Sequence, residues 1–227
     1  MKYLVVGGSK GIGKACTEIL LQGGHEVIVA SRSNSEISHL PIEHIELDVT
    51  QDVSELEDFE ELNGLIFCPG SINLKPFHRM DIELFKQDME LNVYGAIKTI
   101  QATLPALKKG NGSVVLFSTV AVSQGMPFHA SVASAKGALE GLTRSLAAEY
   151  APDIRVNAIA PSLTDTPLAE SLVSNDKKRE ASEARHPLKK IGRPKDIASL
   201  AVHLVSENGV WISGQVIGVD GGMSRLR

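Results

Sequence analysis

Apolar residues along the chain follow two alternating patterns: short, mainly apolar runs, and longer stretches where they return every three or four positions. The runs are Tyr3–Val6, Val27–Ala30, Ile45–Val49, Leu65–Cys68, Val114–Ser118, Ile154–Ala160 and Val216–Asp220. Short apolar runs alternating with helical patterns are expected for a parallel sheet covered by helices on both faces. Between the first two runs, Ile12, Ala15, Cys16, Ile19 and Leu20 form one helical stripe, which Gly23-Gly24 ends. A long helix is predicted over Asp81–Leu107, with Phe85, Met89, Val93, Ile97, Ile100 and Leu104 at helical spacing. Another runs from about Ser131 to Tyr150, rich in Ala, with Leu139, Leu142 and Leu146 on one side. Their small residues permit close packing, either on the sheet or between protomers. Ser33–Pro41 and Thr50–Asn63 leave room for little more than a turn of helix each. With no repeat and no linker, this alternation predicts one α/β domain over residues 1–227, a seven-stranded parallel sheet flanked by helices.

Composition narrows the partners. With 23 Lys+Arg against 27 Asp+Glu, a net charge of −4 argues against binding nucleic acid or an anionic membrane. The two cysteines, Cys16 and Cys68, cannot make a disulfide framework or a four-ligand zinc site, so no metal is expected and a reducing compartment suits them. No apolar run approaches the ~18 residues of a membrane span, and Met1-Lys2 leads straight into the first strand, so a cytoplasmic location is expected. Tyr3, Tyr94 and Tyr150 are the only phenols in the chain.

Gly7-Gly8-Ser9-Lys10-Gly11-Ile12-Gly13 follows the first strand and opens the first helix. A glycine-rich turn there lets the backbone approach a pyrophosphate, whose charge is favoured by the free N–H groups at a helix start. The second strand ends Val29-Ala30-Ser31-Arg32. An NAD site would carry an acidic residue there for the ribose 2′-hydroxyl. Instead Ser31 offers a hydroxyl and Arg32 a guanidinium able to grip a 2′-phosphate, with Lys10 as a second cation. NADP(H) is therefore expected over NAD(H), the alternative being that Arg32 is only a solvated charge.

Taken together these residues resemble the short-chain dehydrogenase/reductase family along the whole chain. The turn GGSKGIG is similar to that family's TGxxxGIG, with Val6 in place of threonine. Asp48, followed by Val49, matches the acidic residue near the adenine, and Leu91-Asn92-Val93-Tyr94-Gly95 resembles the NxxG motif with Asn92 as the site asparagine. Cys68-Pro69-Gly70 stands where asparagine-alanine-glycine is usual. Pro161-Ser162-Leu163-Thr164, with Thr166 beyond, matches the nicotinamide loop, Ser162 replacing glycine. Gly192-Arg193-Pro194 and the run from Gly214 to Gly222 resemble the C-terminal motifs. The resemblance implies a Rossmann-like doubly wound fold, a nicotinamide cofactor, a small carbonyl or alcohol substrate, similarity to 3-oxoacyl-[acyl-carrier-protein] reductases, and a homodimer or homotetramer. It does not by itself imply turnover.

The family's tyrosine, which protonates the carbonyl oxygen, precedes its lysine by four residues and follows its serine by about thirteen. Lys136 matches the lysine that holds the nicotinamide ribose, but the tyrosine position is Val132, and Thr119, preceded by Ser118, stands in the serine's register. Tyr94 and Lys98 repeat the tyrosine–lysine spacing on an earlier helix, in the wrong element. His129, three residues before Val132, is a candidate to supply or relay the missing proton, because imidazole titrates near pH 6.5; it could equally cap the helix. A segment of about 163–191 falls where the family has its substrate lid. Within it Lys177, Lys178, Arg179, Arg185, Lys189 and Lys190 face Glu180 and Glu183 in sequence, which reads as a solvated face or as a recruiter of anionic substrates. Two functions remain open: an NADP(H)-dependent oxidoreductase with an atypical active site, or a catalytically lapsed nucleotide-binding protein, redox-sensing or scaffolding, on the same fold.

Overall fold

The structure is a computed structural model and describes residues 1–226. Seven strands form one sheet: β1 (Lys2–Val6), β2 (Glu26–Ser31), β3 (Glu43–Glu46), β4 (Gly64–Phe67), β5 (Ser113–Phe117), β6 (Arg155–Pro161) and β7 (Val216–Val219). They lie in the order β3-β2-β1-β4-β5-β6-β7, and every ladder is parallel. Helices α1 (Gly11–Gln22) and α7 (Pro194–Val205) cover one face; α2 (Ile82–Met89), α3 (Gly95–Lys109) and α5 (Ala130–Tyr150) cover the other. Short α4 (Val120–Gln124) and α6 (Asp176–Ala184) complete the helices.

Two-sided burial explains the apolar runs of the central strands. Within β1, Leu4 and Val6 enter the core shared with α3 and α5, while Tyr3 and Val5 enter the one shared with α1 and α7. Strand order reverses between β1 and β4, and a crevice opens beyond their carboxyl ends at such a point. Val6 pairs with Phe67, so the glycine turn after β1 lies against Cys68-Pro69-Gly70 after β4. A Cβ on Gly7, which has φ +73°, would sit 3.2 Å from the Pro69 ring.

Two boundaries differ from expectation. The third strand was expected at Ile45–Val49 but pairs with β2 only over Glu43–Glu46. Leu47 and Val49 are buried without joining the ladder, because Asp48 turns the chain by accepting from the Thr50 N–H at 2.9 Å and the Thr50 hydroxyl at 2.8 Å. The helix expected over Asp81–Leu107 is capped by the Asp81 carboxylate, which accepts from the Leu84 N–H, and a π turn at Glu90–Tyr94 separates α2 from α3. A π turn widens the helix by one residue, and Asn92 lies in it. Ser33–Pro41 forms only turns and Thr50–Asn63 only a 3₁₀ turn at Ser54–Leu56, as their shortness implied.

Candidate active site

The ends of β1, β4, β5 and β6 open on a cleft of about 850 Å³. Its floor is the glycine turn. Gly11 has φ +52°, and a Cβ on Gly13 would collide with the Gly7 carbonyl, so the turn and the start of α1 interlock only with glycine there. A Cβ on Gly11 would meet Thr166 at 3.3 Å, so the turn and the segment after β6 close on one point from opposite sides. Ser9, Lys10, Ile12, Val49, Cys68, Pro69, Gly70, Pro161, Ser162, Leu163 and Thr164 also line the cleft. These walls fit a dinucleotide: free helix-start N–H groups, side-chain-free backbone, and a buried acceptor without a partner, described below.

At the far end Ser31, Arg32 and Asp48 line the cleft. The hydrogen bonds from Thr50 hold the Asp48 carboxyl below the usual range, with the Arg32 charge adding to them. The Ser31 hydroxyl is already engaged with the Ser33 carbonyl at 3.0 Å and His44 Nε2 at 3.1 Å. Lys10 forms an ion pair with Glu36 at 3.5 Å, so its charge is partly matched. Arg32 is exposed and remains the cation that faces this end.

At the other end stand Ser118, Thr119, His129, Val132 and Lys136. The two hydroxyls separate. Ser118 is buried and donates to Glu140 Oε1 at 2.7 Å, so its hydrogen is directed to that carboxylate. Thr119 caps α4, its Oγ1 accepting from the Ala121 N–H at 3.3 Å, and this leaves its hydroxyl hydrogen to donate. Val132 is 6% exposed and presents only methyl groups to the cleft. Tyr94, the last residue of the π turn, is half exposed and does not line the cleft, and Lys98 pairs with Glu90 at 3.1 Å.

Lys136 is buried, and burial lowers its ammonium to about 8 against the opposing pull of Cys68 and Asp88. Burial likewise pushes the Cys68 thiol well up, with Cys16 beside it. Asn92 sits behind the wall instead of on it. Its Nδ2 donates to the Asp88 carbonyl at 2.8 Å and to Ser71 Oγ at 3.0 Å, while its Oδ1 is buried with no partner. A Cβ on Gly70 would lie 3.4 Å from both Asn92 Oδ1 and Lys136 Nζ, so these two polar atoms flank one point. An orphaned acceptor facing an ammonium is a place for a bridging water or ligand hydroxyl.

Other groups here had no sequence signal. Asp88, 1% exposed on α2, accepts from Ser71 at 2.6 Å, Asn73 at 2.7 Å and Ser131 at 2.5 Å. The pattern Leu84, Asp88 on a helix reads as core then polar, and only the fold brings three donors to that carboxylate. His186 also lines the cleft, 2% exposed, with Nε2 2.9 Å from Ser162 Oγ and Nδ1 2.8 Å from the Ser182 carbonyl. Of the basic residues between Lys177 and Lys190, Arg185 reaches the cleft. Lys178 binds the Ser171 carbonyl, Arg179 pairs with Asp165 at 3.0 Å, and Lys189 binds the Ala184 carbonyl, so half of the run holds its own segment together. Leu168 and Leu172, from the 3₁₀ turn Pro167–Leu172, and Met223 give the outer wall an apolar surface.

A family model described as enoyl-(acyl carrier protein) reductase matches residues 6–224. The chain is 31% identical to 3-oxoacyl-[acyl-carrier-protein] reductase FabG of Thermotoga maritima, over 97% of this chain and 96% of that protein. The ligand-free aldohexose dehydrogenase of Thermoplasma acidophilum superposes with a TM-score of 0.92 at 29% identity, covering 100% of this chain and 94% of that one. The NADP-bound structure of ElxO gives a TM-score of 0.89 at 27% identity, covering 98% of each chain.

Proposed function

The chain belongs to the short-chain dehydrogenase/reductase family, and on that premise we propose that it is an NADP(H)-dependent oxidoreductase acting on a carbonyl/alcohol pair with an atypical active site. The observation that carries this reading is the convergence of the interlocked glycine turn, the free Thr119 hydroxyl, the orphaned Asn92 Oδ1 and buried Lys136 on one cleft. A pure binder would need the turn and the lysine but not the hydroxyl.

The cofactor, when bound, supplies or takes up the hydride. Arg32 would hold a 2′-phosphate, helped by Lys10 to the extent that Glu36 releases it. Asp48, ionised by its hydrogen bonds, would accept from the adenine amino group. Lys136 would bind the ribose hydroxyls, a contact that replaces some of the solvation lost on burial. Thr119 would donate to the carbonyl oxygen and so favour the charge that develops there. Asn92 would hold a water beside Lys136. The proton falls to a group other than a phenol; His129, half-buried on the cleft wall with Nδ1 2.7 Å from the Pro127 carbonyl, leaves Nε2 available.

The whole chain reads as one domain with the segment of about 163–191 as its substrate lid, in a cytoplasmic homodimer or homotetramer. No helix among the described residues is long and apolar enough to cross a membrane. Val132 favours one other reading, a nucleotide-binding protein whose turnover has lapsed. Titrating purified protein with NADPH and NADH, then assaying a carbonyl panel, tests both. NADPH should bind about 10- to 100-fold tighter, the worth of charged hydrogen bonds to a phosphate, and Arg32→Ala should erase that margin. Equal or tighter binding of NADH overturns the preference.

A further inference from the structure

We propose that Ser162 and His186 together form the proton relay of this site, Ser162 touching the substrate oxygen and His186 standing behind it as the proton source; this rests on the oxidoreductase reading above. The pair is built from two segments that neither family pattern nor spacing links. Ser162 follows β6 directly, in a position where glycine is usual, and His186 follows α6. Both line the same cleft as Thr119, Val132 and Lys136.

Chemistry fixes the direction of the bonds. The Ser182 carbonyl can only accept, so His186 Nδ1 carries a hydrogen toward it at 2.8 Å. In the neutral ring Nε2 is then a lone pair, and the Ser162 hydroxyl donates to it at 2.9 Å. A hydroxyl that faces a substrate cleft and hands its hydrogen to an oriented imidazole is the arrangement that lets a weak acid act as a relay. The ring is buried and held from behind. Asp220 is the charged group that faces it from the segment after β7; Glu183 and Arg185 flank it on its own segment. Burial pushes the Asp220 carboxyl up, but the N–H and hydroxyl groups of Ser224 and the N–H of Gly222 outweigh that and keep it low, with His186 adding to the effect.

Of the groups near Val132, two are already committed, and His129 is the competing donor. Ser131 turns away from the cleft and donates to Asp88. Asp88 receives three donors and acts as an acceptor throughout.

In the reducing direction the carbonyl carbon takes the hydride supplied by the reduced nicotinamide, and the carbon–oxygen π bond breaks toward oxygen. The Ser162 hydrogen passes to that oxygen as His186 Nε2–H passes to Ser162. One C–H and one O–H bond form, and the neutral imidazole regains its proton from solvent. Alcohol oxidation runs the same path backwards and needs the neutral ring. Reduction should therefore slow, and oxidation quicken, as pH rises.

The test has two arms. In the cofactor-free protein, ¹⁵N NMR of labelled histidine should show His186 with its hydrogen on Nδ1, and Ser162→Gly should move its titration; an unmoved titration overturns the pairing. In turnover assays with NADPH, Ser162→Gly and His186→Gln should each lower kcat about 10²- to 10⁴-fold, leave KM within a few-fold, and flatten the pH profile. Glutamine can still hold Ser162 but cannot exchange a proton near neutrality. If His186→Gln restores wild-type kcat and its pH dependence, the pair is only a latch between β6 and the 163–191 segment. If His129→Gln flattens the profile and His186→Gln does not, the relay runs through His129. A silent wild type beside an active Val132→Tyr overturns the relay alone; silence in both overturns the oxidoreductase reading with it.

Discussion

Replacing Asp88 with alanine should destabilise the protein by about 3 kcal/mol. A hydrogen bond to a charged group is worth roughly 1.5–3 kcal/mol, and breaking a buried charged network by removing one member costs roughly 3–5 kcal/mol. Three donors lose their acceptor here: Ser71, Asn73 and Ser131. The losses do not add in full. Ser131 has the Leu84 carbonyl at 3.3 Å as a second acceptor, and Ser71 and Asn73 are half-buried, within reach of water. That places the result at the low end of the range. In a chain of 227 residues such a change lowers Tm by on the order of 10 °C. Asp88→Asn keeps the shape and one strong acceptor, and the hydroxyls can turn to meet its amide, so about 1–2 kcal/mol is expected. Urea unfolding followed by circular dichroism measures both. Because Asn92 donates to Ser71, which donates to Asp88, the alanine variant should also bind NADPH more weakly. An Asp88→Ala protein within 1 kcal/mol of wild type, or one no less stable than Asp88→Asn, would refute the claim that this carboxylate ties α2, the 71–73 segment and α5 together.

Two further outcomes follow from the same geometry. Thr119→Ala should lower kcat about tenfold to a hundredfold and cost about 1 kcal/mol for the lost α4 cap, whereas Ser118→Ala, which strands Glu140 Oε1, should shift the urea midpoint and spare kcat; a Ser118→Ala that loses kcat beside a Thr119→Ala that keeps it would exchange their roles. Lys136 titrates near 8 in the folded chain because burial disfavours its charge, against about 10.4 in an unfolded one. Between those values the unfolded chain holds a proton that the folded chain lacks, so this group makes stability rise with pH across that window. Lys136→Met should therefore gain a few kcal/mol over cofactor-free wild type at pH 7, with the gap closing by pH 10; parallel stability curves for the two proteins would contradict it.

What the sequence determined by itself was everything carried by local repetition. Runs of Val, Ile and Leu specify strands because both faces of a parallel sheet are apolar, and the Ile12-to-Leu20 stripe specifies a helix because one face is. The glycine turn was legible for a similar reason, since Gly7, Gly11 and Gly13 are needed by backbone geometry within a few residues of one another. Val132 and Lys136 were singled out through the family resemblance, and both lie on one helix. Where burial and ladder membership part, local pattern misled: Leu47 and Val49 look like strand and are core, but Asp48 turns the chain first. The tertiary structure decided which polar groups are free and which are spoken for. Ser118 meets Glu140, Ser131 meets Asp88, and Ser162 meets His186 across separations of 22, 43 and 24 residues. A hydrogen bond is set by direction and distance in space, and a hydrophobic period carries neither across such a gap; only the packed sheet, by fixing where each strand end and helix start points, brings those partners together.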